Sequence, residues 1–260
     1  MIVNPTAEGW EIIYHRSHAL LAAQIALQWH NVEREERIAE TITAIAQHDD
    51  LECEWEGDHL SSVGAPLDFT LTPKNLAAVD PWRQLITEAL YRGRWVALLT
   101  AMHVQFLNAP YKADDRKLAS FLADLDQQIA QWRKELKISK KEAEQSYAFL
   151  QWCDRLSLIL CGRALPEHER WLEIANGPDG RRYDIMQRAD RSLVVEPWPF
   201  REQRFVVAAD ACYLNQLQFT ANAELTRALK AAPISSIYWE FSRSPLGQSA
   251  RTTAAPASEG

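Results

Sequence analysis

Apolar residues recur at spacings of three and four through most of the first 165 residues, the pattern of amphipathic helices. The clearest case is residues 114–136, where six large apolar side chains fall on one face. Ser139 and Glu142 match a capping box, which predicts that another helix starts there. In all, the pattern predicts helices over residues 15–29, 33–47, 81–93, 94–109, 114–136 and 139–161. Residues 1–165 are therefore expected to form a multi-helix bundle, preceded only by a brief strand at 9–14.

A different pattern begins near residue 165, where short runs rich in β-branched and aromatic residues alternate with turn signals. The runs are YDIMQ (183–187), SLVVEP (192–197), RFVVAADACYL (204–214) and ISSIYWEF (234–241), with turns at NGPDG (176–180) and EPWPF (196–200). One helix is predicted between the last two runs, at 222–232. The predicted fold class is thus mainly α, with a small C-terminal antiparallel β (α+β) region. Its parts are a helical domain at 1–165, a β-rich subdomain at 166–242 and a disordered tail at 243–260.

Residues 51–72 interrupt the helical pattern with a concentration of Gly, Pro, Ser and Asp. Such a segment predicts a long loop without secondary structure, and long loops in compact domains are often functional. Because this loop directly follows His48, Asp49 and Asp50, it could wall or cover a site there.

The composition excludes several classes of protein. A net charge of −7 argues against general nucleic-acid binding. No apolar stretch approaches the roughly 20 residues that span a bilayer, and the start lacks the pattern of a signal peptide. The four cysteines are scattered without a CxxC pair, which favours reduced thiols in a cytoplasmic protein.

Candidate chemistry is concentrated in the HDD stretch, His48-Asp49-Asp50, which ends an apolar helical run. His18 and Asp154 lie in two other predicted helices and could meet His48 and Asp49 there. Imidazole nitrogen and carboxylate oxygen atoms suit Mn²⁺, Fe²⁺, Co²⁺, Ni²⁺ or Zn²⁺. The alternative is that His18 is a hydrogen-bonded core histidine and Asp154 is simply ion-paired.

The order His18, His48-Asp49, Asp154 resembles the HD-domain superfamily of metal-dependent phosphohydrolases. The matching segments are RSHALLAAQIA (16–26), AIAQHDD (44–50) and WCDRLSLIL (152–160). More narrowly, the chain resembles an uncharacterised bacterial family, through the HDD stretch, a mid-chain histidine (His103) and PWPF (197–200).

The resemblance implies an HD-like bundle in which His18, His48, Asp49 and Asp154 bind one divalent metal ion. His103 could complete a second metal site, as extra histidines do in the phosphodiesterase-like branch, or it could be a hydrogen-bonded core histidine. The sequence has no adjacent histidine pair between Asp50 and Asp154, which argues against a binuclear centre.

Three further residues are candidates for the catalytic machinery. Asp50 would orient water or support a ligand, while Arg16 and Arg155 would contact an anionic substrate. His15 and His30, in contrast, are expected at the surface or as helix caps.

The predicted function is hydrolysis of a small phosphorylated molecule or nucleotide by a metal-activated water. The alternative is a non-catalytic HD-like module that senses a ligand or binds a protein. An oxygen-activating iron site is a third reading, but the doubled Glu-x-x-His pattern that would support it is missing from the sequence. Homo-oligomerisation is left open.

Overall fold

The structure is a computed structural model that describes residues 1–30, 36–51, 53–72 and 78–244. The six helices predicted in the first 165 residues are confirmed: α1 (His15–Ala26), α2 (Ile38–Gln47), α3 (Asp80–Arg92), α4 (Arg94–Asn108), α5 (Arg116–Leu136) and α6 (Lys140–Cys161). The predicted start of the second helix at 33–35 and the predicted tail from 245 onward lie outside the described residues. The capping box is present, since Ser139 Oγ accepts a hydrogen bond from the Glu142 amide and Glu142 Oε2 accepts one from the Ser139 amide.

The mainly α fold class is wrong, because the protein is an α+β fold with 47% helix and 20% strand. Its strands are β1 (Ile2–Pro5), β2 (Trp10–Ile13), β3 (Leu172–Asn176), β4 (Arg182–Gln187), β5 (Leu193–Glu196), β6 (Arg204–Leu214) and β7 (Ile234–Ser242). They form one seven-stranded sheet in the order β1-β2-β6-β7-β5-β4-β3. The predicted small antiparallel region is therefore also wrong: the sheet is mixed, since β5 pairs in parallel with β7.

The error has a physical cause in the pairing of β2 with β6. Trp10 lies opposite Leu214 and Ile12 opposite Cys212, so strands about 200 residues apart in sequence become neighbours. Local periodicity carries no information about such a contact. The sheet therefore draws strands from both sides of residue 165, while the predicted domain boundary there stays a prediction.

Helix α1 lies between the sheet and the other helices. The Ser17 side chain bonds both the amide and the carbonyl of Asp210 in β6, and the Gln24 side chain does the same with Ala208. The four distances are 2.8–3.1 Å. Such side-chain to backbone bonds each stabilise a fold by about 1 kcal/mol. They hold α1 in register on the sheet and thereby fix the position of His18.

One large core spans both halves, because buried residues of α1, α4 and α6 pack with residues of β4 to β7. A smaller core lies beneath α7 (Asn222–Ala231), the predicted C-terminal helix, where Leu225 and Leu229 contact residues of β2 and β6. Among the described residues, no helix has both the length and the apolar content needed to cross a membrane.

Candidate metal centre

The three segments that carry the HDD stretch, His18 and Asp154 meet in the structure. His18 Nε2 lies 2.7 Å from Asp49 Oδ2, and His48 Nε2 lies 3.1 Å from Asp154 Oδ1. His48 Nε2 is also 3.7 Å from Asp49 Oδ2, which joins the two pairs into one cluster. Both imidazoles are buried, while the Asp49 carboxylate remains about a quarter exposed at 23%. The cluster therefore has a solvent-facing side.

The end of α2 explains how consecutive residues can converge. Helix neighbours point about 100° apart, so His48 and Asp49 can share a centre only where the helix ends. The helix does end at Gln47, with His48 as its C-cap and Asp49 in the turn that follows. His48 Nδ1 lies 2.7 Å from the Ile45 carbonyl, one of the oxygens that a helix end leaves without an intrahelical partner.

The outer nitrogens of both histidines are committed to hydrogen bonds away from the cluster. His48 Nδ1 can only donate to the Ile45 carbonyl, so this nitrogen carries a hydrogen. Ser157 Oγ donates to the Asp154 carbonyl over 2.8 Å and therefore accepts, at 3.0 Å, from His18 Nδ1. Such outer partners fix the tautomer of a metal-binding histidine and leave Nε2 free for the ion.

Electrostatics favour a positive charge in the cluster. Burial lowers the pKa of His48, but the Asp49 and Asp154 carboxylates outweigh it and raise this pKa to about 10. Burial raises the pKa values of the two carboxyl groups, yet the neighbouring imidazoles, chiefly His48, lower both below their usual range. The cluster thus stabilises carboxylate anions together with a cation.

The donor set also fits a metal ion. Metal–ligand bonds of about 2.0 to 2.2 Å place adjacent ligand atoms about 3 to 3.5 Å apart. The observed separations of 2.7, 3.1 and 3.7 Å bracket that range. One ligand atom from each of His18, His48 and Asp49 lies within 4.8 Å of the others, and the same holds for His48, His103 and Asp154. These two groups could bind a metal, and they share His48.

His103 lies inside α4 and is buried. Its ring centroid is 5.0 Å from that of His48, and its Nδ1 is 3.4 Å from the Tyr147 hydroxyl. Burial, reinforced by the nearby His48, lowers the pKa of His103 to about 4. His103 is therefore a neutral imidazole on the inner side of the cluster, where the sequence had suggested a second site.

Of the three predicted catalytic residues, two contact each other and the third, Arg155, lies apart from them. The Arg16 guanidinium donates to the Asp50 carbonyl over 2.6 Å, and its Nε lies 3.7 Å from the Asp50 carboxylate. Burial raises the pKa of Asp50, and Arg16 partly opposes the rise. Arg155 is exposed on α6, and among the described residues its side chain has no hydrogen-bond or ion-pair partner. Only Arg16 and Asp50 are thus brought together.

His15, His30 and the 51–72 loop were also predicted to lie at the surface or near the cluster. His15 is buried and is the first residue of α1, after the cap Tyr14, so its predicted position at the surface or as a helix cap is wrong. Glu54 Oε1 bonds the His15 backbone amide at 2.7 Å and its Nδ1 at 3.0 Å. His30 is exposed, as predicted, and contacts the Pro199 carbonyl. Within the described part of the 51–72 loop, the only helical element is a 3-10 turn at Phe69–Leu71. This loop supplies Glu54, which anchors α1 beside the cluster.

Sequence reasoning missed Ser157. It lies three residues after Asp154 and therefore on the same helix face, a spacing that could have identified it. Its residue type alone gives no sign of a role, because a serine inside a helix commonly bonds only a carbonyl of the preceding turn or faces solvent.

A family model described as "Protein of unknown function (DUF3891)" matches residues 1–216. The comparisons with curated proteins and with solved structures return no match. The match agrees with the predicted resemblance to an uncharacterised family, whereas nothing found supports the HD-domain superfamily.

Proposed function

We propose that this chain, which belongs to the DUF3891 family of proteins of unknown function, is a metal-dependent hydrolase of a small phosphorylated molecule or nucleotide. The ion would be held by His18, His48 and Asp49, and Asp154, whose carboxylate lies 3.1 Å from His48 Nε2 in the adjoining group, would complete the set. The observation that carries the proposal is the pair of short contacts between imidazole Nε2 atoms and carboxylate oxygens, at 2.7 and 3.1 Å.

Each of these contacts needs a positive charge. Because Nδ1 of both histidines carries a hydrogen, a neutral imidazole would direct a lone pair from Nε2 at a carboxylate oxygen. Two electron-rich atoms at that distance repel unless a proton or a cation lies between them. Two buried imidazolium ions would satisfy both contacts, but their desolvation is costly. One divalent ion carries the same charge and balances the two carboxylates.

When bound, such an ion would polarise a phosphoryl oxygen and lower the pKa of water toward neutrality. The residues of the chain would orient the reactants. Arg16, whose side chain is 55% exposed, contacts Asp50, the residue that follows Asp49, and from there its guanidinium could bind a phosphate oxygen. The partly exposed Asp50 carboxylate lies next to it and could orient the attacking water.

The test is phosphate release from p-nitrophenyl phosphate and from nucleoside mono-, di- and triphosphates, with Mn²⁺, Fe²⁺, Co²⁺, Ni²⁺ or Zn²⁺ added in turn. We expect the wild type to hydrolyse at least one ester and Asp154→Asn to lose that activity. Asp124→Asn is the control, because Asp124 is 60% exposed on α5 and pairs with Arg83. Metal-loaded protein that hydrolyses none of these esters would refute the proposal and favour the non-catalytic, ligand-sensing or protein-binding module.

A cytoplasmic location belongs to the same proposal. Its support is that all four cysteines are free, and free thiols persist in reducing compartments. Homo-oligomerisation stays an open prediction.

A further inference from the structure

A cavity of about 670 Å³ lies where the helices meet the turns of the sheet. Its walls include five aromatic side chains from five different segments: Trp29, Trp95, Phe149, Tyr183 and Trp198. Small-molecule sites typically measure about 300 to 1,000 Å³ and have mainly apolar and aromatic walls. The cavity therefore has the size of a ligand site, with a lining that is part aromatic and part polar.

This cavity is separate from the metal centre. Thr41 lines it and lies on the same helix as His48, about 10 Å away at about 1.5 Å per residue. Phe149 and Asp154 are about 7 Å apart along α6 by the same measure. The two sites thus occupy different levels of the same helices, and no predicted metal ligand lines the cavity.

The lining combines aromatic rings with polar and charged side chains, and the polar atoms of three of the rings are bonded within the protein. The Trp95 indole donates to Thr41 Oγ1, the Tyr183 hydroxyl donates to Asp179, and the Trp198 indole donates to the Glu202 carbonyl. Because these polar atoms are bonded within the protein, the rings present flat carbon faces to the cavity, chiefly that of Trp198, since the other four rings are buried. Flat faces of this kind favour stacking with a planar ring.

Arg37 provides the charge most available to a ligand. Its guanidinium lies 5.3 Å above the Trp95 ring, and its side chain is 27% exposed. Among the described residues its ion-pair partner is Glu36, at 3.9 Å and with a side chain that is 90% exposed, so the pair is weak.

The other charges at the cavity are already engaged. Arg181 pairs with Asp179 at 3.4 Å, and Glu142 accepts the hydrogen bond that caps α6. An anionic group next to Arg37 would therefore gain a charge-assisted hydrogen bond without displacing a strong internal partner.

We infer that this cavity binds a planar aromatic or heteroaromatic molecule with an anionic substituent. The ring stacks on Trp198 and the anion pairs with Arg37. A cationic ligand fits less well, because a guanidinium already lies over the Trp95 face. Binding does not require the ion of the metal centre.

Isothermal titration calorimetry of the 260-residue chain in EDTA tests this inference, because EDTA removes any contribution from a metal ion. The probes are indole-3-acetate and 1-naphthoate, with indole and 1-naphthamide as neutral counterparts and tetramethylammonium as the cation. We expect at least one anionic probe to bind with a millimolar or lower Kd and its neutral counterpart to bind more weakly.

Two variants locate the binding. Arg37→Gln should weaken the anionic probe about tenfold, the loss expected of one charge-assisted contact, and leave the neutral probe unchanged. Trp198→Ala should weaken both. Arg83→Gln is the matched control, because Arg83 lies 5.0 Å above the Phe121 ring and away from the cavity, and it should change neither. No binding of either anion at millimolar concentration, equal binding by Arg37→Gln, or preferential binding of tetramethylammonium would each overturn the inference.

Discussion

Replacing Ser157 by alanine removes the hydroxyl that bonds the outer nitrogen of His18. Ser157 is fully buried, and its Oγ lies 3.0 Å from His18 Nδ1. Without it, the His18 Nδ1–H has no acceptor at that position, and the imidazole is no longer held with Nε2 toward Asp49. The change leaves all four proposed ligands in place and alters only how one of them is oriented.

Two separate losses are expected. A buried donor without a partner costs about 1 to 3 kcal/mol, so the free energy of unfolding should fall by that amount. Removing the outer partner of a metal-binding histidine typically weakens metal affinity about 10- to 100-fold, which corresponds to about 1.4 to 2.7 kcal/mol of binding free energy.

The assay is a chelator-competition titration with Zn²⁺ and Mn²⁺, beside urea unfolding of the metal-free protein. Thr41→Val is the matched control, since it also removes a buried hydroxyl, one that accepts a 2.9 Å bond from the Trp95 indole. We expect similar stability losses in both variants and weaker metal binding only in Ser157→Ala. Wild-type metal affinity in Ser157→Ala, despite its loss of stability, would refute the assignment of His18 as an oriented ligand.

Two further predictions concern the pH dependence of stability and the sheet. Burial raises the pKa of Glu54, but the bonds from His15 outweigh it and lower this pKa from 4.5 to about 2. At 1.36 kcal/mol per pKa unit, this lowering stabilises the folded state by at most about 3 kcal/mol. The stabilisation is present above pH 4.5 and is lost as the pH falls through 2. Urea unfolding should therefore find Glu54→Gln less stable than wild type at pH 7 and nearly equal at pH 2; an equal difference at both would contradict this. A Cβ at Gly9 would clash with the Leu214 carbonyl oxygen, so Gly9→Ala should cost about 1 to 3 kcal/mol, whereas unchanged thermal unfolding would contradict the pairing of β2 with β6.

The helices could be predicted because their signal is local. The stripe that includes Leu118, Leu122 and Leu125 identifies α5 by itself, and the capping box at Ser139 locates the start of α6. The sheet depends instead on distant partners. β1 has only four residues and ends at Pro5, and its place beside β2 and β6 follows from packing that no local pattern encodes.

The candidate site shows the same contrast. His48 and Asp49 stand out because they are adjacent where an apolar run ends, and the positions of His18 and Asp154 suggested that they would meet there. His15 was misjudged because its burial depends on Glu54, which reaches it from an irregular loop 39 residues later. The outer hydrogen bond from Ser157 requires the actual packing of α1 against α6.

The most direct test of the metal centre is elemental analysis of the purified protein beside Asp49→Ala and Asp154→Ala. We expect about one transition-metal ion per chain in the wild type and in the Asp124→Asn control, and loss of the ion in both alanine variants with the fold retained. Wild-type protein that contains no metal after incubation with Mn²⁺, Fe²⁺, Co²⁺, Ni²⁺ and Zn²⁺, or alanine variants that both keep the metal, would refute the metal centre.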